Sequence, residues 1–158
     1  DRRQRQMCIR DRHQVADYDE LKQNCDEYFF IKHRKEHRGI GGIFFDGLNK
    51  MGKDSCFSFV KDCAEGFIDS YLPIISRRKD MDFSPENKTW QRVRRGRYVE
   101  FNLVYDRGTK FGLNTDGRIE SILMSLPDSA SWKYCHEPDE GSLEEEMLEV
   151  LRFPRAWI

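Results

Sequence analysis

The sequence lacks long hydrophobic runs, an excess of charge of one sign and a regular arrangement of cysteines. Its longest apolar runs are only a few residues, too short to cross a bilayer, and no apolar segment follows the charged N-terminus as in a signal peptide. The formal net charge of −1 argues against a polyanion as the main partner. With 38% hydrophobic and 35% charged residues among 158, the composition is typical of a single globular domain with a real core.

The five cysteines show neither a metal-ligand spacing nor a disulfide framework. Their odd number favours a reducing compartment, and we predict a cytoplasmic protein. Cys56 and Cys63 lie seven residues apart, which on a helix places them on one face as small buried groups. No phosphate-binding glycine loop, nucleophile elbow or His-Glu zinc motif is present.

The first twelve residues show no apolar period. Their order resembles the translation of a transposase adapter used in preparing sequencing libraries. The alternative is a solvated basic tail. We interpret residues 1–12 as an unstructured artefact and residues 13–158 as part of a single domain.

Apolar residues at helical spacing predict four helices. The first spans His13–Phe30, and the last follows the cap Ser142, with Leu143, Met147, Val150 and Leu151 inward, and stops at Pro154. A third helix is predicted to start at Ser84-Pro85-Glu86 and to end near Arg95, before Gly96. The second is predicted to start at Asp54, with a core stripe that comprises Phe57, Val60, Ala64, Phe67, Ile68 and Tyr71.

Alternating and glycine-rich segments predict strands between these helices. We expect a buried strand at Gly39–Asp46 and a longer one at Tyr98–Tyr105. Turn signals at 106–108 and 114–117 would then pair Thr109–Leu113 with Arg118–Leu126. The predicted fold class is α+β, an antiparallel sheet flanked by helices.

Two basic clusters are candidates for binding sites. Residues 32–38 could grip carboxylates, or could be a solvated helix end. Within them, His33 and His37 lie four residues apart, which alone is weak evidence for a metal. Arg94–Arg97 leaves open a non-enzymatic module that binds anions or nucleic acid, which a continuous basic face would favour and a pocket-directed set would reject.

Two blocks of sequence resemble the oxygen-dependent coproporphyrinogen III oxidase family. The first is His33–Asp46, with Lys22, Cys25, Tyr28 and Phe29 before it; Asn24 departs from the tryptophan usual there. The second runs from Trp90 through Arg94–Leu113, Gly117–Pro127 and Trp132–Tyr134 to Pro154–Trp157. The resemblance covers Tyr18 to Ile158 and identifies the chain as the C-terminal half of such a domain.

The resemblance implies an enzyme of haem biosynthesis. It implies oxidative decarboxylation of coproporphyrinogen III to protoporphyrinogen IX, with molecular oxygen as acceptor and no organic cofactor, and it leaves a divalent metal open. It also implies a coproporphyrinogen oxidase-like antiparallel sheet between helices, and a homodimer formed through Tyr98–Lys133. Nucleic acid is not an expected partner. If the source is eukaryotic, the compartment would instead be the mitochondrial intermembrane space or a plastid.

The resemblance also assigns site residues. Asp116, Gly117 and Arg118 map onto the substrate-contact turn, and His33 onto a proposed metal ligand. Gly117 is expected to take a positive φ and to leave room for the macrocycle. The family's glycine-rich Asp segment and its presumed proton-donor histidine have no counterpart here, so no catalytic residue is assigned and the chain alone is expected to be inactive. A non-enzymatic dimerisation fragment is the remaining alternative.

Overall fold

The computed structural model describes residues 17–156 and shows six helices and one two-stranded antiparallel sheet over that range. The prediction that residues 1–12 are unstructured lies outside the described residues. Mixed helix and antiparallel sheet agrees with the α+β class, although helix predominates. The elements in chain order are α1 (Tyr18–Tyr28), β1 (Phe30–Ile31), β2 (Glu36–His37), α2 (Lys53–Arg78), α3 (Pro85–Val104), α4 (Arg107–Asn114), α5 (Ile119–Leu123) and α6 (Leu143–Arg152).

The chain divides into two compact units. The first contains α1, α2 and the segment between β2 and α2 from Gly41 onward. The second contains the β1–β2 hairpin and helices α3 to α6. Within the described residues, no helix is both long and apolar enough to cross a membrane.

The first unit has a small core between α1 and α2. The helix predicted at His13–Phe30 is confirmed over Tyr18–Tyr28, with Tyr18, Leu21 and Cys25 buried; residues 13–16 lie outside the described residues, and Phe30 belongs to β1. Leu21 forms a cluster with two residues of α2, Cys56 and Phe59. The cluster is completed by the partly buried side chains of Ile43, Phe45, Leu48 and Cys63. The prediction that Cys56 and Cys63 share an inward face is therefore confirmed.

The predicted strand at Gly39–Asp46 is wrong, because this segment is irregular. Gly41 and Gly42 have φ angles of 69° and 142°, which interrupt an extended strand. Among the described residues no strand pairs with it. A backbone hydrogen bond runs from Phe44 N–H to the carbonyl of Leu21, 3.1 Å apart. The segment therefore contributes apolar side chains to the first unit's core without joining a sheet.

The predicted core face of α2 is also wrong. Its N-cap is Gly52 rather than Asp54, and no side chain caps it. Phe57 and Ile68 of the predicted stripe are 68% and 59% exposed, whereas the buried residues are Cys56 and Phe59. Periodicity identifies an apolar face but not what covers it, and α2 has apolar residues on more than one side.

The second unit is built on a short hairpin. Phe30 pairs with His37, and Ile31, which is fully buried, pairs with Glu36. The Nδ1 atom of His37 lies 2.8 Å from the carbonyl oxygen of Leu151, which ties the hairpin to α6. This contact lets a polar imidazole be buried with a partner.

Helix α6 follows its predicted cap. The hydroxyl of Ser142 accepts from Glu145 N–H at 3.2 Å, and Val150 and Leu151 are buried as predicted. Leu143 was predicted to face inward but is 80% exposed, while Leu148 is buried. The first residue after the cap thus lies off the buried stripe.

Helix α3 replaces a predicted helix, turn and strand. It starts as predicted, with Ser84 as cap and Pro85 in the first turn, but it continues past Gly96 to Val104. The predicted strand at Tyr98–Tyr105 is therefore wrong. Buried Val93, Arg97 and Phe101 recur every four residues, a helical period that the alternation of aromatic residues obscured.

The region after α3 is helical as well, so the strands predicted at Thr109–Leu113 and Arg118–Leu126 are wrong. The turn signal at 106–108 is a helix cap, because the Asp106 carboxylate accepts from Thr109 N–H at 2.7 Å and starts α4. Aspartate serves both turns and N-caps, so the same residue type fits either structure.

Candidate functional site

A cluster of charged residues joins the hairpin turn to α3 in the second unit. Its centre is Glu100, and we call it the Glu100 cluster, comprising His33, Arg34, Arg97, Glu100 and Trp132. The turn between β1 and β2 carries His33 and Arg34, while Arg97 and Glu100 lie one helical turn apart on α3. Arg34 binds the carboxylate with both ends of its fork, through Nε at 2.8 Å and Nη2 at 2.7 Å.

Three more donors complete the shell around Glu100. Arg97 Nη1 lies 3.2 Å and Trp132 Nε1 2.9 Å from Oε1, and His33 Nε2 lies 2.6 Å from Oε2. The Glu100 side chain is only 12% exposed. Such a carboxylate is fixed by charge-assisted hydrogen bonds on both oxygens.

The ionisation of Glu100 follows from this shell. Burial alone would raise its pKa, but the hydrogen bonds from Arg34 and His33 and the charges of Arg34 and Arg97 outweigh burial and lower the pKa to about 2. The group is therefore a carboxylate throughout the physiological range. It can only accept hydrogen bonds, so the Nε2 atom of His33 carries the proton that the two share.

We expect the second unit to lose stability in acid. Because the folded pKa of Glu100 lies below its ordinary value of 4.5, its contribution is present above pH 4.5 and is lost as the pH falls toward about 2. The full shift corresponds to roughly 3 kcal/mol at most. Urea unfolding followed across this range should show the loss, and Glu100→Gln should remove most of that pH dependence. An equal slope in both proteins would contradict the assignment.

His33 is engaged on both sides of its ring. Its Nδ1 lies 2.8 Å from the hydroxyl of Tyr105, whose ring also stacks on the imidazole. The Nδ1 contact with Tyr105 can form in either direction, because a phenol hydroxyl both donates and accepts hydrogen bonds. A metal bound here would have to displace Tyr105 or Glu100, so this arrangement does not fit a ready metal ligand. In the described part of the chain, no three His, Cys, Asp or Glu side chains are grouped to hold a metal. The metal assignment of His33 stays a prediction.

A second carboxylate, Glu36, lies beside the Glu100 cluster. Arg94 Nη1 donates to Glu36 Oε1 at 2.7 Å, and Arg97 Nε lies 3.3 Å from the same oxygen. Arg97 thus bridges the two carboxylates. Its Nε is within ion-pair range of Glu36 but lacks the alignment of a hydrogen bond. Burial, and next the charge of Arg34, lower the pKa of Arg97.

Arg94 retains one buried nitrogen, Nη2, with no acceptor. A buried donor without a partner typically costs about 1–3 kcal/mol. Arg94 and Arg97 are mostly buried and face carboxylates, while Arg92 and Arg95 between and beside them are exposed. The four arginines therefore form no continuous basic face, which weighs against the nucleic-acid interpretation.

A cavity of about 190 Å³ opens beside these ion pairs. Its walls combine charged groups with the apolar surfaces of Trp90, Val93 and Leu148. The charged and polar lining residues are His33, Arg34, Glu36, Arg94, Arg97, Lys133, Cys135, His136, Glu137 and Arg152. Five of these side chains are permanent cations and two are carboxylates, so the cavity favours an anion.

The predicted substrate turn lies elsewhere, between α4 and α5. Asp116 and Arg118 are exposed, and none of Asp116, Gly117 and Arg118 lines the cavity. The positive φ belongs to Asp116, at 52°, and not to Gly117 as predicted. A side chain at Gly117 would meet the carbonyl oxygen of Gly112 at 2.8 Å, so its small size serves packing. The three residues are adjacent at this turn, and within residues 17–156 the Arg118 guanidinium has no ion-pair or hydrogen-bond partner.

Sequence reasoning missed the carboxylates that organise the cluster. Glu36 lies inside the basic run 32–38, where its charge is easily overlooked. Glu100 lies inside the segment Tyr98–Tyr105, for which the sequence predicts a strand. The spacing of Arg94, Arg97 and Glu100, each three residues from the next, would have placed them on one helix face had α3 been predicted to continue.

Comparison with known proteins places this chain in a family. The family model described as coproporphyrinogen III oxidase matches residues 2–157. The match begins inside the segment interpreted as an adapter, so it lends that interpretation no support, and the interpretation stays a prediction.

The curated relatives of this chain carry the name of the same family. The mitochondrial oxygen-dependent coproporphyrinogen-III oxidase of Rattus norvegicus is 59% identical over 149 residues, which cover 94% of this chain and 34% of the relative. The chloroplastic coproporphyrinogen-III oxidase 1 of Arabidopsis thaliana is 54% identical, covering 98% and 40%. The oxygen-dependent enzyme of Francisella tularensis is 53% identical, covering 95% and 48%. The chain spans less than half the length of these relatives, and it belongs to the coproporphyrinogen III oxidase family.

Proposed function

We propose that this chain forms part of an enzyme that converts coproporphyrinogen III to protoporphyrinogen IX with molecular oxygen. The observation that carries the proposal is the family match over residues 2–157. In each of two steps a propionate loses carbon dioxide, two electrons and two protons to become a vinyl group, and oxygen accepts the electrons and protons. A pyrrole-rich substrate supplies electrons itself, so the protein's task is to position it, bind its carboxylates and manage protons.

The proposed contribution of this chain is a rigid, cation-rich scaffold. The Glu100 cluster fixes the hairpin turn against α3 and holds arginines in set directions. Such pre-set guanidinium groups suit a substrate that carries several carboxylates. For the whole protein we propose the antiparallel sheet flanked by helices that the resemblance implies, of which β1 and β2 supply only one antiparallel pair here.

A segment exchange tests the proposed function. The part of the rat enzyme that aligns with residues 17–156 would be replaced by this chain's sequence, and protoporphyrinogen formation and oxygen uptake would be measured. We expect turnover within about tenfold of the parent, since positioning losses of one contact are of that order. A matched exchange with the Arabidopsis segment serves as control. A folded chimera without turnover, beside an active control, would contradict the proposal.

Arg118 is proposed to bind a substrate propionate, next to Asp116 and Gly117. Its side chain is exposed at the start of α5. In the active chimera we expect Arg118→Ala to raise the Michaelis constant about tenfold, the loss of one charged pairing. Arg118→Lys should restore only part, because a point charge lacks the fork. Arg92→Ala, a change at an exposed arginine of α3, is the control. Unchanged constants in both Arg118 variants would refute the assignment.

We also propose that the family's homodimer forms through Tyr98–Lys133. This region exposes large apolar side chains that a contact would cover, among them Phe111 at 71% and Met124 at 78%.

Mitochondrial and chloroplastic names occur among the relatives, alongside bacterial ones. The cytoplasm predicted from the cysteines stays a proposal beside those two compartments.

A further inference from the structure

We propose that the cavity beside Arg94, which we call the Arg94 cavity, binds a single carboxylate borne on a short alkyl arm. It is separate from the turn at residues 116–118, none of which lines it. The inference does not depend on the proposed function, because it concerns binding by this chain alone.

The charge of the Arg94 cavity favours an anion. Its two wall carboxylates already have partners, Glu36 with Arg94 and Glu137 with Arg152 at 3.2 Å. Arg34 and Arg97 are held by Glu100. Even with Glu100 counted, the cations outnumber the carboxylates by two. Lys133, an exposed residue of the wall, supplies a positive charge at the rim.

Arg94 provides a second and independent indication. Its Nη2 is buried without an acceptor although the same guanidinium is held by Glu36 through Nη1. An anion that entered the cavity and drew Arg94 toward it by a small side-chain movement would give this nitrogen its missing acceptor.

Size and wall chemistry decide the class of ligand. A volume of about 190 Å³ is below the range of roughly 300–1,000 Å³ that encloses whole drug-sized molecules. The Trp90 ring, 5.6 Å from the Arg94 guanidinium, and Leu148 offer apolar surface next to the charges. Methylene groups suit that surface, and a planar carboxylate suits the arginine fork. Phosphate matches the charge and the arginine fork but has no methylene groups to contact the apolar wall.

The test is a titration of the chain with sodium propionate, and separately with inorganic phosphate, at constant ionic strength. Arginine Nε–Hε signals in NMR spectra would report binding at Arg94 and Arg97. We expect saturable shifts of these signals with propionate and at least about tenfold weaker binding of phosphate. No saturable shift with propionate, or tighter binding of phosphate, would overturn the proposal.

Two variants locate the site. Lys133→Met removes a rim charge without touching the buried ion pairs and should weaken propionate binding severalfold. Arg94→Lys keeps a charge for Glu36 but removes the free Nη2, and should weaken it further. Lys110→Met, at an exposed lysine of α4 that does not line the cavity, should bind as the parent does. If Lys110→Met and Lys133→Met weaken binding equally, the effect is one of general charge and the proposal is wrong.

Discussion

Replacing Glu100 with alanine is expected to lower the free energy of unfolding by about 3–5 kcal/mol, the range found when one partner of a buried ion pair is removed. The carboxylate accepts from Arg34, Arg97, His33 and Trp132, and none of these donors can find an equivalent acceptor in a methyl group. Arg97 suffers most, since it is 10% exposed and would keep only Glu36. The measurement is urea unfolding at neutral pH.

Two further variants sharpen this experiment. Glu100→Gln keeps the shape but places an NH₂ group against guanidinium donors, so we expect a smaller yet clear loss. Glu137→Ala breaks the exposed pair with Arg152, whose side chain is 41% exposed, and should cost less than about 1 kcal/mol. Equal losses for Glu100→Ala and Glu137→Ala would show that the cluster contributes no more than a surface ion pair.

Purified chain of residues 1–158 is expected to produce no detectable protoporphyrinogen. The sequence contains neither the glycine-rich Asp segment nor the donor histidine that the family resemblance leads us to seek, and it spans less than half of its relatives. Groups that act as a unit in catalysis are far from additive, so the loss of several removes almost all of the rate enhancement. The measurement is an aerobic assay of protoporphyrinogen formation from reduced substrate. The active chimera serves as the positive control.

A negative assay is informative only if the chain is folded. Far-UV circular dichroism and the cooperative urea transition provide that control. Turnover by the folded chain would overturn the prediction and would mean that residues 1–158 hold a complete set of reacting groups.

Local signals predicted the starts of two helices better than they predicted strands. Ser84 with Pro85, and Ser142, cap helices where the sequence placed them, because capping depends on residues within one turn. The alternation at Tyr98–Tyr105 failed, because a surface-exposed helix with aromatic residues on several sides mimics a period of two. Leu103 and Val104 are both well exposed, which no local pattern reveals.

The sequence predicted the basic residues of the candidate site but not the carboxylates that pair with them. The basic run 32–38 and the arginines of α3 were noted, and the resemblance supplied His33 and Arg118. Their pairing with Glu36 and Glu100 depends on contacts between residues about 60 positions apart, such as Arg94 with Glu36. Which of several arginines turns inward is decided by that tertiary contact and not by the local spacing.

Gly96, in the middle of α3, allows the segment 131–132 to contact the Glu100 cluster. A β-carbon at Gly96 would lie 2.6 Å from the carbonyl oxygen of Ser131, so the chain at 131–132 can lie against the helix only because this position has no side chain. That same approach brings Trp132 within hydrogen-bonding reach of Glu100. A side chain at this position would therefore disturb the contacts of a carboxylate four residues away. A lineage that gained alanine here would have to reshape the 131–132 segment before it could keep the indole on Glu100.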